Sequence, residues 1–496
     1  INEQFVCGNT FNNKNSGLSL VSIMKKTAVS EQKKSILREI PSTEEMLQFN
    51  KTTALLSSYP RSMIVEVTRN VLETLRNKIK ASDKSGVDNF MVPDKDEIFS
   101  QIENEVHNKV MPQFRKSINA TGIVLHTGLG RAVLPSQSLE SLYKHLKGCT
   151  RLAIDLKSGL RKDRDKNIDE LICEVTGAEA ATVVNNNAAA TVLILNALAK
   201  GKQVICSRGQ MVEIGGSFRI PDIMEISMAK LKGVGTTNRT HLKDYEKAIN
   251  SETGAILKVH ASNYRIIGFT STVPIDELVK LGHKHKLPVI DDIGSGALID
   301  LTPYGLPEEP LVSDSIKAGA DVICFSADKL MGGPQAGIII GKKKYIELIR
   351  KNPLYRAFRV CKLTLIALEE TLKLFRDKDR IFQSNPTLHM LTLDIKTLQA
   401  RADNLVNKLA QIPNLDIKII DEFSQTGSGS LSGYDIPTKA IALKSKTISS
   451  QKLAEKLRER EIPVFTRLKD NNVLLDLRTI LDGEEDEIIK IFKEVL

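Results

Sequence analysis

The sequence predicts an α/β protein built on a mostly parallel sheet, preceded by a small helical domain and followed by a small α+β unit. Three observations carry this expectation. Between about 118 and 350, short β-rich runs alternate with helical runs, the pattern of parallel strands joined by crossover helices. Before residue 90, apolar residues recur at helical spacing. After about 370, helix and strand signals follow one another closely around a Gly/Ser-rich stretch at 426–433.

The elements follow in order. Ser30 is placed to cap a helix over 31–39, and Pro41 stops it. A short helix starts after Pro41-Ser42-Thr43. A longer one covers about 62–80, with Ile64, Val67, Val71, Leu72, Leu75 and Ile79 on one face and Arg61, Arg69, Arg76, Lys78 and Lys80 on the other. Residues 81–95 read as a linker, and 91–117 as a linker helix. Strands are expected at 181–184, 203–207, 223–227, 255–260, 288–291, 321–325 and 337–341, with helices at 188–199 and 274–286 among them. A long helix is expected from near Leu363. Beyond the Gly/Ser stretch, read as a flexible loop, come a strand at 439–443, a helix at 448–459, strands at 463–466 and 472–477, and a final helix at 484–495. The domains expected are a flexible tail (1–25), a helical domain (26–90), the linker helix (91–117), the central α/β domain (118–370) and the C-terminal unit (371–496).

A length of 496 residues suits about three units of roughly 150 residues. Hydrophobic residues make up 41%, enough for a substantial core without any Trp. The net charge of +10 favours polyanionic partners. The six cysteines form no CxxC pair, which suggests reduced thiols in a cytoplasmic protein. No apolar run of about 18 residues suggests a membrane span, and the polar start lacks a signal-peptide pattern.

Three strand ends carry unusual polar residues. In the first, Val184 leads into Asn185-Asn186-Asn187-Ala188, where a helix begins at once. Backbone N–H groups at a helix N-terminus cradle phosphate. In the second, a buried strand ends in Asp291-Asp292-Ile293-Gly294. A carboxylate there is costly unless it serves a cation. In the third, a strand delivers Ser326, Asp328 and Lys329 into the turn Gly332-Gly333-Pro334. A partly desolvated lysine is nucleophilic near neutral pH. Together the three suit pyridoxal 5'-phosphate (PLP). Lys329 would form the Schiff base, Asp292 (or Asp291) would hold the pyridine nitrogen protonated, and Asn185, Asn186, Asn187 and Ala188 would hold the phosphate. No metal site is evident.

These runs, with Ile118–Arg131, Ser207-Arg208-Gly209, 213–221, 234–240 and Ser262-Asn263-Tyr264-Arg265, resemble bacterial selenocysteine synthase, the L-seryl-tRNA(selenocysteine) selenium transferase family. The resemblance is dense over the central domain, moderate in the N-terminal helices and weak in the last 120 residues. It implies a fold-type-I PLP-dependent transferase with active sites between subunits, assembled as a ring of dimers. It implies seryl-tRNA(Sec) as substrate, recognised through the N-terminal domain, and selenophosphate as selenium donor. Arg131, Arg356 and Arg359 become the candidates for binding that anion, the last two placed by their spacing on one helix face. Asp328 is a candidate to orient the donor or relay a proton, and His126 to line the site. His283 and His285 read as solvated.

The segment 157–166 departs from the family's Gly-x-Arg-Gly-x-Arg pattern. Arg161 and Arg164 remain, but Lys162 replaces the second glycine, and Cys361 stands where an acidic residue is usual. The alternative reading is a PLP-dependent lyase or transferase acting on a free small amino acid. Such relatives often lack the N-terminal domain that this chain has.

Overall fold

The computed structural model describes residues 31–82, 90–161, 164 and 166–496. The chain divides into two compact units, one ending at Arg115 and one spanning Lys116–Leu496. Ser30, the tail and Lys162 lie outside the described residues.

The first unit is helical. Residues 31–39 form its first described helix. Ser42 and Glu45 form a reciprocal capping box that starts Thr43–Leu47. Asn50–Ser58 and Arg61–Ala81 follow. The six apolar residues read onto one face of the long helix are all buried. Lys95–Val110, started by an Asp94–Glu97 box, falls within the segment read as a linker, yet its Ile98, Ile102 and Val106 are buried in the same core cluster. Arg61, Arg69, Lys78 and Lys80 are exposed and Arg76 partly so. Glu73 lies 3.6 Å from both Arg76 and Lys80.

The second unit holds two main sheets. The larger is formed by β2 (Ala180–Val184), β3 (Gln203–Ser207), β6 (Lys230–Val234), β7 (Thr253–Val259), β8 (Val289–Gly294), β9 (Val322–Ser326) and β10 (Gly337–Gly341), in the order β2-β10-β9-β8-β7-β3-β6. Pairings from β9 through to β6 are parallel, and β10 runs antiparallel to both of its neighbours. A two-stranded hairpin of β4 (Glu213–Ile214) and β5 (Phe218–Arg219) follows β3. The strand expected at 223–227 is instead the helix Ile220–Ile226. Pro221 sits in its first turn, where a missing N–H costs nothing. Ile220, Ile223 and Met224, spaced for one helix face, are buried.

The second sheet joins β1 (Ile118–Ala120), β11 (Leu415–Ser424), β12 (Ile436–Ser445), β13 (Val464–Lys469) and β14 (Asn472–Asp476), in the order β1-β13-β14-β12-β11. β11 was not anticipated, although Leu415, Ile417 and Ile419 alternate with Asp416 and Lys418 as an edge strand should. Ile118 pairs with Val464, so the start of the central domain's sequence belongs to the C-terminal sheet. The stretch at 426–433 is tied down rather than free. Leu125 N donates to Thr426 O at 2.7 Å, and Ser428 Oγ to Leu125 O at 2.6 Å. Thr426, Ser430 and Leu431 are buried.

Gly337 explains a tight joint near the first strand end. A Cβ there would lie 2.2 Å from Asn186 O and 2.9 Å from Asn187 N, both backbone atoms. Gly337→Ala is therefore expected to lower the stability of the folded chain by about 1–3 kcal/mol or more, as overpacking does, measured by urea denaturation.

Candidate active site

The carboxyl ends of β7, β8 and β9 and the helix Asn187–Ala199 surround a cavity of about 310 Å³. Ligands in open α/β sheets bind at such strand ends. Its lining includes Arg131, Asn186, Asn187, Ala188, Asp292, Asp328 and Lys329. Seven residues singled out from four distant stretches of sequence thus meet in one place.

Lys329 leaves β9 through a turn closed by Gly333 N to Ala327 O at 2.8 Å and Gly332 N to Lys329 O at 2.9 Å. Gly332 has φ +69°, and a Cβ on it would lie 2.3 Å from Oδ1 of the buried Asn385, so only glycine fits. Lys329 is 5% exposed. Burial pushes its amine below the ordinary lysine value, with Arg131 adding to the shift and Asp292 and Asp328 opposing it.

Asp292 accepts from Asn187 Nδ2 at 2.7 Å and from Thr191 Oγ1 at 2.9 Å. Burial pushes its carboxyl up, against the pull of those two hydrogen bonds. Asp291 points to the other face of β8, since successive side chains alternate. It accepts from Ser315 Oγ at 2.6 Å and does not line the cavity. Of the two acids, only Asp292 is aimed at Lys329.

Asn186 caps the helix, its Oδ1 accepting from Ala189 N at 2.9 Å. Asn185 is exposed and outside the lining, with its backbone N donating to Phe358 O at 2.9 Å. Arg131 takes φ +64° and places NH1 2.8 Å from Asp328 Oδ2. Arg356 and Arg359 are both exposed, and neither lines the cavity. The helix Pro353–Ala357 ends before Arg359, so the two do not share a helix face as their spacing suggested. A five-residue helix started by Asn352 and Pro353 is too short to reach it.

His126 does not line the cavity, although its Nδ1 is buried without a partner. His283 is exposed as expected, and its Nε2 also lies 3.0 Å from Oδ2 of the buried Asp321. His285 is exposed. Arg161 is exposed in an isolated bridge with Ile154, and Arg164 reaches Val360 O at 3.3 Å. Cys361 is exposed at the start of Lys362–Leu374. Burial raises its thiol, but hydrogen bonds from Thr364 and from the backbone of Leu363 and Cys361 together outweigh this and leave it below the ordinary value. Cys206 and Cys324 are buried, and Cys149 is exposed.

Sequence reasoning gave no site role to Thr191, His260 and Gln335, nor to Ser262 and the hairpin residues Ile214, Gly215, Ser217 and Phe218, which it named only within runs that carry the family resemblance. All but Thr191 line the cavity. His260 and Ser262 had a signal: they immediately follow β7, at the end of the sheet where ligands bind. The hairpin's signal was its place in the 213–221 run that carries the resemblance, but nothing local aimed it at the site, which its residues reach only through the fold.

Among the described residues, no helix is long and apolar enough to cross a membrane. The family model described as L-seryl-tRNA selenium transferase matches residues 117–481, and the one described as selenocysteine synthase N terminal matches 37–76. The L-seryl-tRNA(Sec) selenium transferase of Alkaliphilus metalliredigens is 46% identical over 461 residues, covering 93% of this chain and 98% of that protein. That of Clostridium botulinum (strain Okra) is 44% identical, covering 94% and 99%. Among solved structures, D-glucosaminate-6-phosphate ammonia-lyase shares the fold-type-I architecture at TM-score 0.54 and 18% identity, over 82% of this chain and 98% of that one. With its lysine, acids and helix N-terminus converging at these strand ends, the chain belongs to the L-seryl-tRNA(Sec) selenium transferase family.

Proposed function

We infer that this chain converts seryl-tRNA(Sec) to selenocysteinyl-tRNA(Sec), by losing the seryl β-hydroxyl and adding selenium from selenophosphate, with PLP as cofactor. The observation that carries this reading is the buried Lys329, which shares one cavity with Asp292 and with the Arg131–Asp328 pair.

The residues present fit the cofactor. An aldehyde needs an amine with a lowered pKa, and Lys329 has one. A protonated pyridine needs a buried carboxylate, and Asp292 is disfavoured as an anion until a cation joins it. A phosphate needs N–H donors, and the N-terminus of Asn187–Ala199 opens on the cavity. Ser262 Oγ and Asn187 Oδ1 are buried without a partner, as polar atoms awaiting a ligand are. When bound, PLP supplies an electron sink for the pair released at the substrate Cα.

The chain's own groups do the rest. Lys329 would hold the cofactor through Nζ, and the same Nζ, once free, would accept the proton from the substrate Cα. Asp292 would keep a proton on the cofactor's ring nitrogen. Asn186, Asn187 and Ala188 hold the phosphate end, with Asn185 setting the helix entry through its bond to Phe358. Arg131 offers the donor anion a guanidinium already oriented by Asp328. Arg356 and Arg359 are exposed and have no partner among the described residues, which suits a role at a neighbouring subunit's site in a ring of dimers. The basic face of Arg61–Ala81 is the candidate tRNA surface. The cytoplasm, where charged tRNA is found, is the proposed location.

Purified protein with PLP, selenophosphate and serine-charged tRNA(Sec) is expected to yield selenocysteine on the tRNA, and none on ordinary serine tRNA. Unchanged serine from protein that carries PLP would overturn this reading in favour of a free amino-acid substrate.

A further inference from the structure

Departure of the β-hydroxyl needs a proton donor, because water loses its proton only near pH ~15.7. The titratable groups lining the Lys329 cavity are Arg131, His260, Asp292, Asp328 and Lys329. Arg131 and Asp328 are paired with each other. Asp292 is held by Asn187 and Thr191. Lys329 is assigned to the Cα proton. His260 remains, and its imidazole can carry a proton on either ring nitrogen.

The setting of His260 matches that task. It follows directly on β7, and its backbone N donates to the backbone O of Asp292 at 2.9 Å, which fixes its backbone against β8. Its Nε2 lies 3.1 Å from Glu309 Oε1, on a carboxylate side chain only 8% exposed. Nδ1 has no hydrogen-bond partner among the described residues, and His260 lines both the Lys329 cavity and the neighbouring one bounded by Lys258 and Tyr264. A carboxylate on one ring nitrogen fixes the tautomer and leaves the other nitrogen to face the reaction.

We propose that His260, oriented by Glu309, is the general acid that protonates the leaving β-hydroxyl. The inference rests on the function proposed above. The Cα–H bond breaks, and its proton goes to Lys329 Nζ. Its electron pair becomes the second Cα–Cβ bond. The Cβ–O bond breaks, and its pair leaves with oxygen, which takes the Nδ1 proton of His260 and departs as water. The ring, 26% exposed, regains a proton from solvent.

The test separates the two proton transfers. With seryl-tRNA(Sec) in D₂O and no selenium donor, deuterium at Cα reports the Lys329 step, and pyruvate released after ester hydrolysis reports elimination. His260→Gln is expected to keep Cα exchange within about threefold of wild type while elimination falls about 10²–10³-fold. Glu309→Gln should show the same split, smaller. Before any cofactor is added, ¹⁵N-histidine NMR should show a proton on Nε2 of His260, and Glu309→Gln should alter that signal. Unchanged elimination in His260→Gln would overturn the assignment. So would an equal fall in exchange and elimination with cofactor absorbance retained, or an unprotonated Nε2. Wild-type protein that carries PLP but exchanges no Cα proton would instead sink the proposed function, and this inference with it.

Discussion

Lys329→Ala is expected to convert seryl-tRNA(Sec) at least about 10⁴-fold more slowly than the wild type, since one substitution removes both the covalent anchor and the base. Among the described residues, no other lysine lines the cavity to take its place. Product formation on the tRNA is the measurement, and activity within tenfold of wild type would refute the role. The same residue sets a pH dependence. Burial holds its amine below the ordinary value of 10.5, so the neutral, nucleophilic form is reached at lower pH than in free lysine. PLP capture by the cofactor-free chain, followed by absorbance in stopped flow, should rise with pH through a midpoint below 10.5. Folding stability moves the same way. Between the folded and unfolded values the unfolded chain holds the extra proton, so this lysine's contribution rises with pH across that window.

Asp292→Asn carries the second large effect. Conversion should fall about 10²–10³-fold, the size seen when one preorganised electrostatic partner of a reacting centre is removed. Stability should move in the opposite direction. The carboxyl of Asp292 is raised by burial from its ordinary value of 3.8. The folded chain therefore binds more protons than the unfolded one above 3.8, and this group's contribution falls as pH rises through the folded value. At neutral pH the cofactor-free Asp292→Asn chain should resist urea better than wild type. A variant both less active and less stable would show that Asp292 serves packing rather than a bound cation. A site that trades stability for chemistry is expected where a charge is buried to await its partner.

Much of this was legible in the chain itself, for local reasons. Lys329, Asp292 and Asn186–Ala188 each sit where a strand's apolar run stops and a turn or helix begins, and such changes of pattern are visible without a fold. The 61–81 helix was legible because its buried face repeats at 3.6 residues. The strand expected at 223–227 failed because Ile223, Met224 and Ile226 fit either period, and Pro221 with tertiary packing decided for helix. Arg356 and Arg359 were three apart, but whether a helix lasts that far depends on neighbours that spacing does not record.

By itself, then, the sequence picked out Lys329, Asp292, Asp328 and the Asn186–Ala188 turn as candidates, and the strand ends that carry them. Those are properties of short stretches, set by residue type and periodicity. Only the tertiary structure decided that Asp292 rather than Asp291 faces Lys329, that Arg131 is held by Asp328, that His260 and the 213–219 hairpin join the cavity, and that the 426–433 loop is pinned against Leu125. Each of those depends on strand pleat, sheet order or contact between residues far apart in the chain. Such contacts form only when the whole unit closes around its core.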